Sequence, residues 1–341
     1  MWSNRGTRWI LKFENLIETY QLFYSIIYNY FNLYYHMFMG NCGCGNYKVQ
    51  RRNVLKFISF SSLSYFFFPL VNVFSRNNSY DGPIYDAHAH IGGKKNLNKV
   101  FKQYKKHKIK KAMFFVQPKD AADIKRKVGN DYYLFGDAYR VKESEYKFRD
   151  NRFSELKYHM NNNTVTGIGE FYSLLTNHPN YSPITTDLES SDFKKYLSFL
   201  NTKKAIFHIH DEKMNDSRQS IFSLYPNIKF VLAHCGYKSP KALEQIFSKH
   251  KNVWTDLSLM TNSHFGPSKL WGKPKISINP SNQWKEVLEK YSDRFLVGTD
   301  ISKYTHTEFG RVIKDYRKML GNLPLNVAEK IAYKNFDQII K

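Results

Sequence analysis

From about residue 81 to the end of the chain, short runs of β-branched and aromatic residues alternate with longer, polar, lysine-rich stretches. Eight such runs can be read at 84–90 (IYDAHAH), 111–118 (KAMFFVQP), 133–139 (YLFGDAY), 164–170 (TVTGIGE), 204–210 (KAIFHIH), 229–236 (KFVLAHCG), 253–260 (VWTDLSLM) and 295–302 (FLVGTDIS). Runs this short, bounded by Gly, Pro and polar residues, predict strands, and most of the stretches between them are long enough for a helix. That alternation is the mark of βα repeats around a parallel sheet. Eight units in roughly 260 residues predict an α/β chain folded as a (β/α)8 TIM barrel, the architecture whose reactive groups sit at the C-terminal ends of its strands. No repeat of solenoid period is present.

The polar residues fall at those ends. His88 and His90 lie two apart near the end of the first run. Side chains alternate along a strand, so both imidazoles share a face and are placed to grip one ion. His210 ends the fifth run, His234 lies near the end of the sixth, Glu170 ends the fourth and Asp300 lies in the eighth. Imidazole nitrogens and carboxylate oxygens suit Zn²⁺ and its first-row neighbours, with one position kept open for water or substrate. His88, His90, His210 and Asp300 are expected to hold one divalent ion, zinc fitting best. Glu170 and His234 are placed to bind a second ion or to act on the substrate. His208 shares the face of His210 but lies deeper, and reads equally as a ligand or as a core histidine. Asp256 reads either as a site residue or as an acceptor for loop amides. Asp137 carries a weaker signal still.

Together, DAHAH, GIGE, FHIHDE, VLAHCG with KNVWTDLS, and FLVGTD resemble the amidohydrolase superfamily, and most of all its amidohydrolase-related branch of hydrolases, lactonases and decarboxylases. The resemblance covers 81–341, including the ending NVAEKIAYKNFDQII, and implies a metal-dependent barrel enzyme. His88 and His90 match the first-strand ligands, His210 the fifth-strand ligand, His234 the sixth-strand histidine and Asp300 the last-strand aspartate. No lysine stands where Glu170 does, so a carbamylated bridging lysine is not expected, and a bridging glutamate stays open.

The expected chemistry is hydrolysis of a small-molecule amide, lactone or ester by a metal-activated water. Asp300 takes the water's proton and passes it to the leaving group, and His234 holds the substrate oxygen as charge develops there. Decarboxylation with the same ligands is an alternative, and so is a TatD-type nuclease, although GIGEFYSLL lacks the Gly-Leu-Asp expected after that glutamate. A barrel that binds without turnover would be expected to lack a ligand, and none is missing. The long segment 261–283 holds His264 and Trp271 and reads as a lid or specificity loop contacting substrate, or as decoration.

Residues 39–80 are of another kind. QRRNVLK at 50–56 resembles the twin-arginine export motif, and 57–75 is uncharged and moderately apolar. A basic segment before such a run reads as a signal peptide, and its length also allows a membrane anchor. No small-x-small cleavage site is obvious at the end of the run before Arg76, so a retained anchor stays open. Residues 1–38, with the uncharged stretch 19–39, read either as a membrane-associated extension or as untranslated sequence ahead of a start at Met37 or Met39. The expected destination is the periplasm or beyond, free or membrane-anchored.

Composition narrows the rest. The 341 residues, 42% of them hydrophobic, suffice for one large core plus a leader. Cys42, Cys44 and Cys235 make no disulfide framework, and Cys235 is expected to face away from the site. The net charge of +23 could draw nucleic acid, anionic lipid or anionic substrate. Lys, Asn, Tyr, Phe and Ile are abundant throughout, and the lysines are scattered over predicted helix faces, which disfavours nucleic acid as a partner. A small-molecule substrate is expected, and oligomeric state is left open.

Overall fold

The computed structural model describes residues 79–92, 94–137, 150–176, 183–261, 276–301 and 308–341. The leader with Arg51 and Arg52, and the loop residues His264 and Trp271, lie outside the described residues. The strands are β1 (Ile84–Gly92), β2 (Ile109–Val116), β3 (Tyr132–Asp137), β4 (Gly167–Leu175), β5 (Ile184–Thr185), β6 (Ile206–Asp211), β7 (Lys229–Leu232), β8 (Val253–Asp256) and β9 (Phe295–Leu296). Between them run α1 (Lys94–His107), α2 (Pro118–Lys125), α3 (Asp150–Asn161), α4 (Ser191–Thr202), α5 (Asp216–Leu224), α6 (Pro240–Lys249), α7 (Asn282–Lys290) and α8 (Phe309–Gly321).

Local chemistry sets the helix ends. Ser190, Asn215, Ser239 and Ser281 each accept a backbone N–H of the first turn through the side chain, starting α4, α5, α6 and α7. Lys108, Asn163 and Lys204, with φ of 61°, 54° and 51°, turn the chain left-handed after α1, α3 and α4.

Hydrogen bonding links the barrel strands in the order β1-β2-β3-β4-β6-β7-β8-β9, all parallel, with β5 pairing antiparallel to the end of β4. The ring closes beyond β9, where the chain runs beside β1: Ala87 N–H donates to Val297 O, Asp300 N–H to His88 O and His90 N–H to Ile301 O, each at 2.8 Å. Asp86, fully buried, fastens the same seam by accepting Thr299 N–H (2.9 Å) and the hydroxyls of Thr299 and Tyr104 (2.5 Å each). The barrel interior at the N-terminal end is filled by Ala87, Met113, Phe115, Phe135, Ile206, Val231 and Leu296. The C-terminal helices α9 (Leu325–Glu329) and α10 (Asn335–Ile340), joined by a wider-wound turn, cap it with Phe336 and Ile339.

Several strands differ in length from the sequence pattern. Residues 164 and 165 belong to the turn leaving α3, since their N–H groups both donate to His159 O, and Thr166 N–H reaches Leu134 O of β3 just before β4 begins. Beyond Glu170, β4 continues because Phe171, Leu174 and Leu175 are buried and β5 pairs with its end. The sixth run stops at Leu232, where 233–237 becomes a tight turn with His234, Cys235, Gly236 and Tyr237 all near φ +56°. Among the described residues, no helix is long and apolar enough to cross a membrane.

Candidate metal centre

β1 delivers His88 and His90 to the inside of the barrel at its C-terminal end, 0% and 4% exposed, with their Nε2 atoms 3.2 Å apart. Both rings rest on Phe115 of β2, at centroid distances of 4.8 and 5.1 Å. Phe115 can lie there because β4 offers Gly169, where a Cβ would come within 2.6 Å of the ring. The next residue, Glu170, points into the centre.

Its carboxylate joins four histidines. Glu170 Oε2 is 2.8 Å from His90 Nε2 and 3.6 Å from His88 Nε2. Oε1 is 2.8 Å from His210 Nδ1 and 2.9 Å from His234 Nε2. Asp300, at φ +49° just past β9, brings Oδ1 to 3.6 Å from His88 Nε2 and 3.5 Å from His90 Nε2. Ligand-type atoms of His88, His90, Glu170 and Asp300 thus all lie within 4.8 Å of one another. Glu170, His210 and His234 form a second such group, and His88, His234 and Asp256 a third. Of the four ligands expected for one ion, His88, His90 and Asp300 come together with Glu170, whereas His210 joins them through Glu170 and stands with His234.

Buried partners fix which nitrogen His88 and His234 present. Asp256, 0% exposed at the end of β8, sits 3.0 Å from His88 Nδ1, so that nitrogen carries the proton and Nε2 faces the centre. The other oxygen of Asp256 accepts Ser258 N–H (2.9 Å), the Ser258 hydroxyl and His234 N–H (3.3 Å). With the Ser258 hydroxyl proton committed to Asp256, His234 Nδ1, 2.7 Å from Ser258 Oγ, must be the donor of that pair. His234 Nε2 therefore keeps its lone pair toward Glu170. His210 is held from the outer side by Tyr237, whose hydroxyl is 2.9 Å from Nε2, and Tyr172 donates its hydroxyl to Glu170 Oε2 at 2.9 Å.

The charges follow from burial and neighbours. Burial opposes a charged His88, but Asp256 and Glu170 outweigh it and raise its pKa well above the ordinary value. Burial would also raise the carboxyls of Glu170 and Asp256, yet the charge on His88 holds both well below the usual range. His234 is lowered by burial to about 4 and is neutral at pH 7. Its Nε2 and Glu170 Oε1 are then two electron-rich atoms 2.9 Å apart with no proton between them. A cation is what such a pair lacks, and the nitrogen and oxygen donors around it fit a first-row divalent ion.

His208 lies deeper, fully buried among Phe115, Phe135 and His88, with Nδ1 3.6 Å from Asp256 and neither ring nitrogen in a hydrogen bond. It belongs to none of the three ligand groups, and neither does Asp137, buried at the end of β3. Cys235 is buried in the layer between barrel and helices. Sequence reasoning missed Ser258, Tyr172 and Tyr237. The first two stand two residues beyond Asp256 and Glu170, the same spacing that singled out His88 and His90, whereas Tyr237 depends on the left-handed turn.

No protein-family model and no curated protein sequence matches the chain. Solved structures do. A "probable 2-pyrone-4,6-dicarboxylic acid hydrolase" of Acinetobacter baumannii, with citric acid bound, aligns at a TM-score of 0.54 and 13% identity over 75% of this chain and 98% of its own. A Staphylococcus aureus protein, provisionally assigned as an amidohydrolase, aligns at 0.51 and 10% over 76% and 99%. A dihydroxybenzoic acid decarboxylase of Polaromonas, with bound manganese and the inhibitor 2-nitroresorcinol, aligns at 0.51 and 10% over 76% and 97%. These neighbours are barrels of the amidohydrolase superfamily, and the likeness establishes that this chain shares their fold.

Proposed function

We propose that the chain is a metal-dependent hydrolase of a small-molecule amide, lactone or ester, with zinc as the ion. The observation that carries the reading is Glu170 standing among His88, His90, His210 and His234 with Asp300 beside them, all at the strand ends of one barrel. A divalent ion held by these residues would polarise a substrate oxygen and lower the pKa of a water molecule from about 15.7 to about 7.

The residues then divide the work. Asp300, its side chain 14% exposed, is more open than Glu170 and Asp256, and its Oδ1 is the acceptor for a proton from the attacking water. Asp256 and Ser258 hold the rings of His88 and His234 in register. The tautomer of His234 fits it to ligation rather than to donating a hydrogen bond to a substrate oxygen, the role its sequence position suggests. The phenols of Tyr172 and Tyr237, whose rings pack against His210 at 4.8 and 5.0 Å, would serve that oxygen only by turning away from Glu170 and His210, the groups they now contact.

A second reading, decarboxylation, draws support from the manganese-bearing decarboxylase that shares the barrel. Elemental analysis should find one or two first-row divalent ions per chain. Fewer than about 0.1 after reconstitution with Zn²⁺ or Mn²⁺ would refute the metal reading. A screen of lactones, amides, esters and aromatic acids, scored for acid release or for carbon dioxide, separates hydrolysis from decarboxylation. The leader is proposed to export the enzyme, a reading that rests on QRRNVLK at 50–56 and the uncharged run after it. Arg51→Lys with Arg52→Lys should then leave the chain in the cytoplasm, and undiminished export would overturn that part alone.

A further inference from the structure

The two ends of the barrel differ in chemistry. Four of the seven helix-to-strand connections, all at the end opposite the histidines, carry exposed lysine or arginine, namely Lys108, Arg126, Lys127, Lys203, Lys204 and Lys251. The acidic residues in these connections are Asp131 and Asp293. A basic residue in a helix's last turn, such as Lys106 in α1, complements the helix dipole. Lys108, Lys127 and Lys251 lie beyond the helical ends, so the dipole does not account for them.

The same end also carries apolar side chains in water. Among the described residues the exposed large hydrophobics are Tyr158 (65%), in the last turn of α3, Leu224 (60%), the last residue of α5, and Leu325 (60%), which opens the helical segment closing that end. The chain enters here as well. Tyr80 N–H donates to Arg317 O, and Arg317 donates to the carbonyls of Tyr80 and Gly82. The uncharged run 57–75 ends four residues before Ser79, at most about 14 Å of extended chain away.

We infer that this end of the barrel is a docking face for an anionic lipid bilayer, with its lysines and arginines over the headgroups and Tyr158, Leu224 and Leu325 at the interface. Basic residues attract anionic lipid, and exposed leucine and tyrosine bury in the headgroup layer. A polynucleotide would use the charge and leave the leucines in water. The site, at the other end, faces the aqueous phase.

The test measures full-length protein binding to vesicles of phosphatidylcholine alone and with about one third phosphatidylglycerol. Wild type should prefer the anionic vesicles by at least about tenfold, more so at low salt. Combining Lys108→Glu, Lys127→Glu and Lys251→Glu should abolish the preference, and the milder Lys→Gln triple, which serves if the first does not fold, should reduce it severalfold. Leu224→Ser with Leu325→Ser should weaken binding to anionic vesicles. Lys119→Glu with Lys241→Glu, at the opposite end, should leave it unchanged. A preference that survives the triple change, or that falls equally with the opposite-end pair, overturns the inference. So does tighter binding to a DNA duplex that is lost in the triple variant and untouched by the leucine changes.

Discussion

Replacing Asp256 with Asn tests the logic of the centre without touching a proposed ligand. Asp256 accepts from His88 Nδ1 at 3.0 Å on one oxygen, and from two backbone N–H groups and the Ser258 hydroxyl on the other. Asn keeps the volume but must place its NH2 against one of these donor sets. Facing the backbone N–H groups of His234 and Ser258, it would oppose two fixed donors, so the amide turns its NH2 toward His88. In the neutral ring that binds an ion, the proton then sits on Nε2, the atom meant for the ion, and binding must first reverse the tautomer. Loss of such a buried partner typically weakens metal affinity about 10- to 100-fold, or about 1.4–2.7 kcal/mol. Zinc titration against a chromophoric chelator reads the change, and a melting curve of the chelated protein checks that the barrel persists. His208→Gln is the control, since it leaves the Asp256–His88 contact in place and should shift affinity far less. Zinc affinity within about twofold of the parent in a folded Asp256→Asn protein would refute the reasoning.

Asp300→Asn should lower turnover by roughly 10²–10⁴ on whichever substrate the parent hydrolyses, because Asn cannot take the proton; the fold should survive, since Asn tolerates the left-handed backbone at φ +49°. In chelated protein, stability should fall as pH drops from about 6.5 toward 4. His234 is held at about 4 when folded and returns to its ordinary value when unfolded, so the unfolded chain binds the extra proton in that window. The full effect is on the order of 3 kcal/mol, and chemical denaturation of His234→Asn should show a visibly flatter pH slope over the same range. Gly167→Ala should destabilise by about 1–3 kcal/mol, read from urea unfolding, because its Cβ would meet the backbone oxygen of Ile206 across the β4–β6 pair. An unchanged midpoint would show that the two strands can part at no cost.

The barrel was legible because most apolar runs meet a polar residue or proline near their end, and because His88 and His90 keep the two-residue period of a strand. Asp300 and Glu170 were found by place rather than by period, since both stand where a run meets its loop. Partnership between distant residues was not legible. Asp256 and His88 are 168 positions apart, and nothing local shows that one orients the other. The grouping of His210 with His234 rather than with His88 depends on where Glu170 extends across the barrel mouth. The sixth and eighth runs also overstate their strands, because Val, Phe and Leu suit a buried turn as well as a ladder. Leu232 is followed by a left-handed turn, and β9 keeps two residues in the ladder before the chain follows β1.

The seam between β1 and the segment after β9 has a kinetic consequence. Its backbone bonds tie residues 87–90 to 297–301, so the barrel closes only when parts of the chain some two hundred positions apart have met. Contacts of that span form late and slow folding. His88 and His90 stand on one side of the seam and Asp300 on the other. An ion gripped by all three would act as a clasp across the junction, stabilising the closed barrel in proportion to the logarithm of its free concentration. Chelation would then act first as an unfastening, with hydrogen exchange at Ala87, His90 and Asp300 quickening before the outer helices loosen. The first residues of the barrel to be made and nearly the last would be held shut by the same atoms proposed to do the chemistry.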